Sequence, residues 1–114
     1  MLYRSKKIYV DDSPVHGRGV FASENIKKGE VLEECHYIPV PNDIAYPDIL
    51  NEHFFSWPKG GMRLVICLGY GSIFNHSDYE FNADWETDTV KNKLIFFSLR
   101  DIRPGEEIFT NYKK

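Results

Sequence analysis

The chain has 114 residues, 42% hydrophobic and 27% charged, a balance that supports one modest core and argues against disorder. Its 14 Lys and Arg against 17 Asp and Glu leave a net charge of −3, which argues against non-specific nucleic-acid binding, a property of basic surfaces. Cys35 and Cys67 are too few for a disulfide scaffold or a Cys-rich zinc site, and both stand in apolar, strand-like stretches that suit buried packing. The segment MLYRSKKIYVDD has no apolar signal region. The longest purely apolar run, 64–68, falls far short of the roughly 18 residues of a membrane helix. The expectation is one soluble, intracellular, reduced domain over residues 1–114, cytoplasmic or nuclear, with no membrane and no direct nucleic-acid contact.

In chain order, residues 8–10 are β-prone and stop at the turn cluster Asp11-Asp12-Ser13-Pro14. Residues 19–22 predict a second short strand, and Lys27-Lys28-Gly29-Glu30 a turn. Residues 31–40 follow as one extended segment, ended by Pro39 and Pro41. Residues 47–55 are the best helix candidate. Pro47 suits a first helical position, and Ile49, Leu50, His53 and Phe54 share a face; Trp57-Pro58 ends it. Residues 62–68 predict a strand, Gly69-Tyr70-Gly71 a bend and 72–75 a tight local turn. Strands over 82–86 and 93–99 are joined by a polar turn, Pro104-Gly105 punctuates, and 108–112 form a last strand. This is a mostly β domain with short helices, too poor in helix for alternating βαβ units.

Three segments carry candidate chemistry. Gly17-Arg18-Gly19-Val20-Phe21-Ala22 fits G-x-G-x-x-A, but a dinucleotide site needs a strand before it and a long helix after it. Here a turn precedes and a β-prone stretch follows. The glycine pair is then either a ligand-free turn or a place where backbone approaches a ligand closely and offers N–H groups to an anion. In Asn75-His76, the Asn supplies one acceptor and two donors. His76 is a base, a metal ligand or a structural group. His16, His36 and His53 have no ligand-like spacing to it and no Cys pair accompanies them, so no metal site is expected. Tyr112, near the end of the last segment, is either a packing residue or a hydroxyl aimed into a pocket to orient a reacting group.

Taken together, in this order and at these separations, the segments resemble the SET-domain family of protein lysine methyltransferases. Ser13 through Ala22 looks like the family's N-terminal glycine motif, and Ile26 through Glu34 like the turn and strand that follow. Phe74-Asn75-His76-Ser77, with Phe81-Asn82-Ala83, is similar to its asparagine-histidine signature. Ile102-Arg103-Pro104-Gly105-Glu106-Glu107-Ile108 through Tyr112 is similar to its closing segment. The resemblance covers nearly the whole chain and is to minimal single-domain members without flanking zinc modules.

The resemblance implies small curved sheets and a C-terminal pseudoknot that brings Asn75-His76 to Tyr112. It implies S-adenosylmethionine as cofactor and a lysine of a basic, histone-like protein or peptide as substrate. A sulfonium and an apolar channel both disfavour the lysine ammonium and so lower its pKa from about 10.4, and the enzyme mainly aligns reactants and excludes water. Carried over by residue, His16, Gly17, Arg18 and Gly19 hold the methionine part of the cofactor, Asn75 its amino or carboxylate end, and the backbone at His76 the adenine. His53, where related members have a tyrosine, touches cofactor or channel. Tyr112 is the catalytic tyrosine. Tyr70, Phe55 and Thr110 line the lysine channel, whose aromatic walls tolerate a cation. Thr110 stands where the family often has Phe or Tyr, which leaves the number of methyls open. Asp78-Tyr79-Glu80 replaces the more usual Cys-x-Pro type of loop. The chain stops two residues after Tyr112, where the family commonly has a closing segment. That leaves an open site, which a second copy in a homodimer could complete; a catalytically weak or inactive SET-fold binding module is the alternative.

Overall fold

A computed structural model describes residues 2–15, 17–51, 53–77 and 79–111. Ten short strands dominate it. They are β1 (Ile8–Asp12), β2 (Arg18–Ala22), β3 (Val31–Cys35), β4 (Tyr37–Val40), β5 (Phe54–Trp57), β6 (Arg63–Cys67), β7 (Asn75–His76), β8 (Ala83–Asp88), β9 (Lys93–Ser98) and β10 (Glu107–Thr110). They form three small sheets in the orders β1-β2-β10-β7, β3-β9-β8 and β4-β6-β5. The mostly β expectation with short helices holds. No helix among the described residues is long and apolar enough to cross a membrane.

Alternation decides what each strand buries. Along β9, Leu94, Phe96 and Ser98 turn inward while Lys93, Ile95 and Phe97 are half-buried. The inward faces meet in an aromatic core. The Phe55 ring stands edge-on to Trp85 at 4.9 Å and to Phe96 at 5.6 Å, and Phe74 lies 5.0 Å from Phe96. Each such side chain contributes roughly 1.5–3 kcal/mol by leaving water. Because Phe74 is wholly buried, the residue after it, Asn75, is anchored at the start of β7.

Two expectations are corrected. The helix over 47–55 is a single turn, α1 (Asp48–Asn51), and Phe54 and Phe55 belong to β5. A helix over so few residues is marginal, because nucleation is costly and few residues follow to offset it. Phe-Phe-Ser-Trp gains more by pairing with β6, from Phe54 opposite Ile66 to Trp57 opposite Arg63. Residues 31–40 are two strands rather than one, because the halves join different sheets: β3 pairs with β9 and β4 with β6. The break falls at His36, whose carbonyl accepts from the Leu68 N–H at 2.9 Å. Pro39 sits within β4, tolerated on an edge strand that needs no donor on its open side.

The C-terminal strand is central to its sheet. β10 runs antiparallel to β2, with Ile108 opposite Val20, and parallel to β7, with Phe109 opposite Asn75 and Thr110 opposite His76. A parallel pair needs a long crossover, and residues 77–106 supply it by way of β8 and β9. On returning, β10 is gripped by the loop that left β7. Ser77 N–H donates to the Thr110 carbonyl at 3.0 Å and Asn82 N–H to the Phe109 carbonyl at 3.1 Å. The Asn82 side chain adds two bonds, accepting from Phe109 N–H at 2.8 Å and donating to the Glu107 carbonyl at 3.0 Å. This is the loop-over-strand arrangement the expected pseudoknot requires.

Candidate active site

The site is built where β2, β7 and β10 lie side by side. The chain enters through a turn closed by a bond from Ser13 N–H to the Gly17 carbonyl at 2.8 Å. Gly17 sits at φ +50°, a left-handed conformation that glycine adopts without a Cβ penalty. Gly19 serves a different purpose. A Cβ there would lie 2.2 Å from Glu107 Oε2 and 3.0 Å from Asn75 Nδ2, so only a hydrogen lets these groups lie against the strand.

The Glu107 carboxylate ties three distant segments together. Its Oε1 accepts from Ser13 Oγ and its Oε2 from Asn75 Nδ2, each at 2.7 Å. Asn75 Nδ2 also donates to the Arg18 carbonyl at 3.1 Å. Asn75, Gly19, Glu107 and Phe109 occupy one face of the sheet, while Val20, Ile108 and Thr110 point to the core and are wholly buried. On the Glu107 face, a cleft of about 460 Å³ opens between β10 and the loop carrying Tyr79 and Phe81.

The sequence candidates fall into groups. Gly17, Arg18, Gly19, Asn75, His76 and Thr110 are brought together on three neighbouring strands and the turn before them. Thr110 is buried and its Oγ1 has no hydrogen-bond partner among the described residues. The residue after it, Asn111, is held by the Trp85 indole, whose Nε1 donates to the Asn111 carbonyl at 3.2 Å. Tyr112 and His16 lie outside the described residues.

The other candidates sit elsewhere in the fold. His53 is half-buried in the turn between α1 and β5, and Phe55 is enclosed in the aromatic core. Tyr70 lies on the 3-10 turn Gly69–Ser72, which leads toward β7. Its N–H donates to Glu33 Oε2 at 3.0 Å, and the Arg4 guanidinium stands 3.6 Å from its ring centroid. Arg4 also grips the buried Glu33 with two bonds, 2.7 and 2.9 Å long, and this raises the Arg4 pKa above its ordinary value. Cys35 and Cys67 are free and buried, and burial pushes the Cys67 thiol up, the state of an inert packing residue. No three His, Cys, Asp or Glu side chains among the described residues gather as a metal site.

Sequence reasoning quoted Glu107 as part of a motif and assigned it no role. A carboxylate that faces a glycine across a strand pair is visible only once the register is known. Asn82, quoted within Phe81-Asn82-Ala83, carries no assigned role in the sequence reading for the same reason.

The SET-domain profile matches residues 17–113, so the chain belongs to the SET-domain family. A Schizosaccharomyces pombe histone-lysine N-methyltransferase, specific for H3 lysine-37, is 32% identical over 108 residues, covering 90% of this chain and 71% of that protein. A Cryptococcus neoformans H3 lysine-4 enzyme is 27% identical over 96% of this chain, which spans only 8% of that protein. Among solved structures, a Plasmodium falciparum protein assigned as a histone methyltransferase has a TM-score of 0.77 at 32% identity, covering 95% of this chain and 94% of that one. The methyltransferase domain of human PR domain-containing protein 2 shares the fold, with a TM-score of 0.73 at 18% identity, covering 93% of this chain and 76% of that one. These relatives support a methyltransferase.

Proposed function

We propose that the chain is a protein lysine N-methyltransferase that uses S-adenosylmethionine and acts on a lysine of a basic, histone-like protein. The observation that carries this reading is the convergence of the glycine turn, Asn75-His76 and the closing segment through one carboxylate, Glu107. The residues suit the amino-acid end of such a cofactor. Gly17 has open space where a Cβ would stand, and the Asn75 amide is bonded to the carbonyl of the next residue, Arg18. When bound, the cofactor supplies a methyl group on a sulfonium.

Each remaining role belongs to this chain. Gly17, Arg18 and Gly19, with His16, bring backbone groups to the cofactor, Asn75 holds its amino or carboxylate end, and the backbone at His76 faces its adenine. Tyr112 orients the substrate amine with its hydroxyl. Tyr70 and Thr110 shape the passage for the lysine, with His53 and Phe55 supporting it. Excluding water there lowers the lysine pKa, so that the amine loses its proton without a strong protein base. The net charge of −3 favours a basic partner at long range.

The test has two arms. Calorimetric titration with S-adenosylmethionine is expected to show one site per chain, weakened in Asn75→Ala. Transfer of labelled methyl to core histones is expected from the wild-type chain and lost in Tyr112→Phe, with cofactor affinity kept. A folded chain that binds no cofactor refutes the reading. One that binds cofactor but methylates no basic protein is a binding module on the SET fold.

A further inference from the structure

We infer that the cleft beside β10 is a docking site for an arginine side chain of the basic protein substrate, one that accompanies the lysine to be methylated. The inference rests on the basic-substrate reading above and narrows it to arginine-bearing segments.

The described residues that wall the cleft are aromatic or polar, none aliphatic. Phe109 lines it from β10 and Phe81 from the facing loop, both half-buried, while Tyr79 is 94% exposed. Ring faces attract cations. Glu80, Glu106 and Glu107 stand against one guanidinium, Arg100, so the lining carries an excess of negative charge that suits a basic partner and repels a phosphate. Glu107 is committed to Ser13 and Asn75, which leaves Glu80 and Glu106 to meet a partner. Rings beside carboxylates favour a guanidinium over an ammonium, because the guanidinium is flat, weakly hydrated, and stacks while it donates. The chain's own Arg100 shows the fit, its Nη1 donating to Glu106 Oε2 at 3.1 Å. Their side chains are 54% and 33% exposed, so this pair is weak and yields to an incoming guanidinium at little cost. At about 460 Å³ the cleft falls within the roughly 300–1,000 Å³ of ligand pockets. The same outward face continues across the sheet, where Phe21 lies opposite Glu107 and Tyr9 opposite Phe21, their rings stacked at 5.8 Å. A segment leaving the cleft has that aromatic surface to lie on. Because Phe109 is also the β10 partner of Asn75, a docked segment lies beside the candidate site.

The test uses fluorescence anisotropy with a fluorescein-labelled peptide of alternating arginine and glycine, which carries no lysine. Two counterparts replace arginine by citrulline, which keeps the shape and loses the charge, or by lysine. The folded wild-type chain is expected to bind the arginine peptide about tenfold more tightly than the citrulline one. It is expected to prefer arginine to lysine by about threefold. Glu80→Gln combined with Glu106→Gln is expected to weaken arginine binding about fivefold, and Tyr79→Ala about threefold. Saturating S-adenosylmethionine is expected to leave the affinity unchanged. In methyl transfer to core histones, the paired Gln variant is expected to raise KM about fivefold with kcat and cofactor affinity kept.

A lysine peptide bound as tightly as the arginine one, or a paired Gln variant that binds like wild type, overturns the inference and leaves the methyltransferase reading standing. Displacement of the peptide by S-adenosylmethionine overturns it too, the cleft then belonging to the cofactor. So does a chain that elutes as a dimer and becomes monomeric in Tyr79→Ala, the cleft then being a contact between copies. A wild-type chain that binds the arginine peptide through these carboxylates but methylates no basic protein upholds the docking site and removes the methyltransferase reading alone.

Discussion

Substituting Gly19 with Ala places a methyl carbon 2.2 Å from Glu107 Oε2 and 2.9 Å from its Cδ. Comfortable non-bonded contacts begin near 3.5 Å, so the carboxylate must retreat by about 1 Å. Its bonds to Ser13 and Asn75 are both 2.7 Å long, and a retreat of that size carries them to the edge of hydrogen-bonding range. A hydrogen bond to a charged acceptor is worth about 1.5–3 kcal/mol, and water recovers part of that at the half-buried Glu107. The expected loss is about 2 kcal/mol, or about 8 °C in Tm for a chain this size. Gly17→Ala is the contrasting case. Its Cβ meets nothing within 4 Å, and only the left-handed φ of +50° is strained, at about 1–2 kcal/mol. Thermal melts followed by circular dichroism, with cofactor titrations, separate the two. Gly19→Ala is expected to lose stability and cofactor affinity together, and Gly17→Ala chiefly stability. In a Glu107→Ala background, Gly19→Ala is expected to cost much less, because only the 3.0 Å approach of its Cβ to Asn75 Nδ2 remains. A Gly19→Ala chain melting within about 2 °C of wild type, or the same penalty in both backgrounds, would refute the reasoning.

Further expectations concern the frame around the site. Arg4→Met strips the charged partner from Glu33, whose side chain is 2% exposed; because Arg4 itself is 46% exposed, the loss should fall at about 2–3 kcal/mol, below that of a fully buried pair, in urea unfolding. Asn82→Ala withdraws both side-chain bonds from β10, and should cost about 2–4 kcal/mol with early hydrogen exchange at Phe109. The Lys93 ammonium, 2.8 Å from Glu34, holds that carboxyl below its ordinary pKa. A depressed carboxyl contributes stability above its unfolded pKa and loses it as pH falls through the folded one. The stability difference between wild type and Lys93→Met in urea unfolding should therefore be full at pH 7, near 1 kcal/mol, and shrink below about pH 4. A difference that persists unchanged at pH 2.5 would show that the pair is not its source.

The local patterns that were legible are those in which neighbouring residues carry the signal. Turn clusters such as Asp12-Ser13-Pro14 and Pro104-Gly105 bound the strands, and alternation in Lys93 to Ser98 marks an inward face. The order of the glycine, asparagine-histidine and closing motifs identified the family, since motif order is a property of the chain itself. What stayed hidden was whatever depends on pairing. Phe54 and Phe55 read as the end of a helix because their spacing fits one; β6 offers them a better use of backbone and ring. His36 breaks an extended run only because its two halves are claimed by different sheets. The site followed the same division. Asn75 and Gly19 stood out by residue type, but their close juxtaposition, and the carboxylate from 94 residues beyond Ser13 that binds the cluster, exist only through the register of β10 between β2 and β7. Residue types and turn chemistry act over a few positions and are written in the sequence; the meeting of Ser13, Asn75 and Glu107 is decided by which strand edges find each other when the core closes.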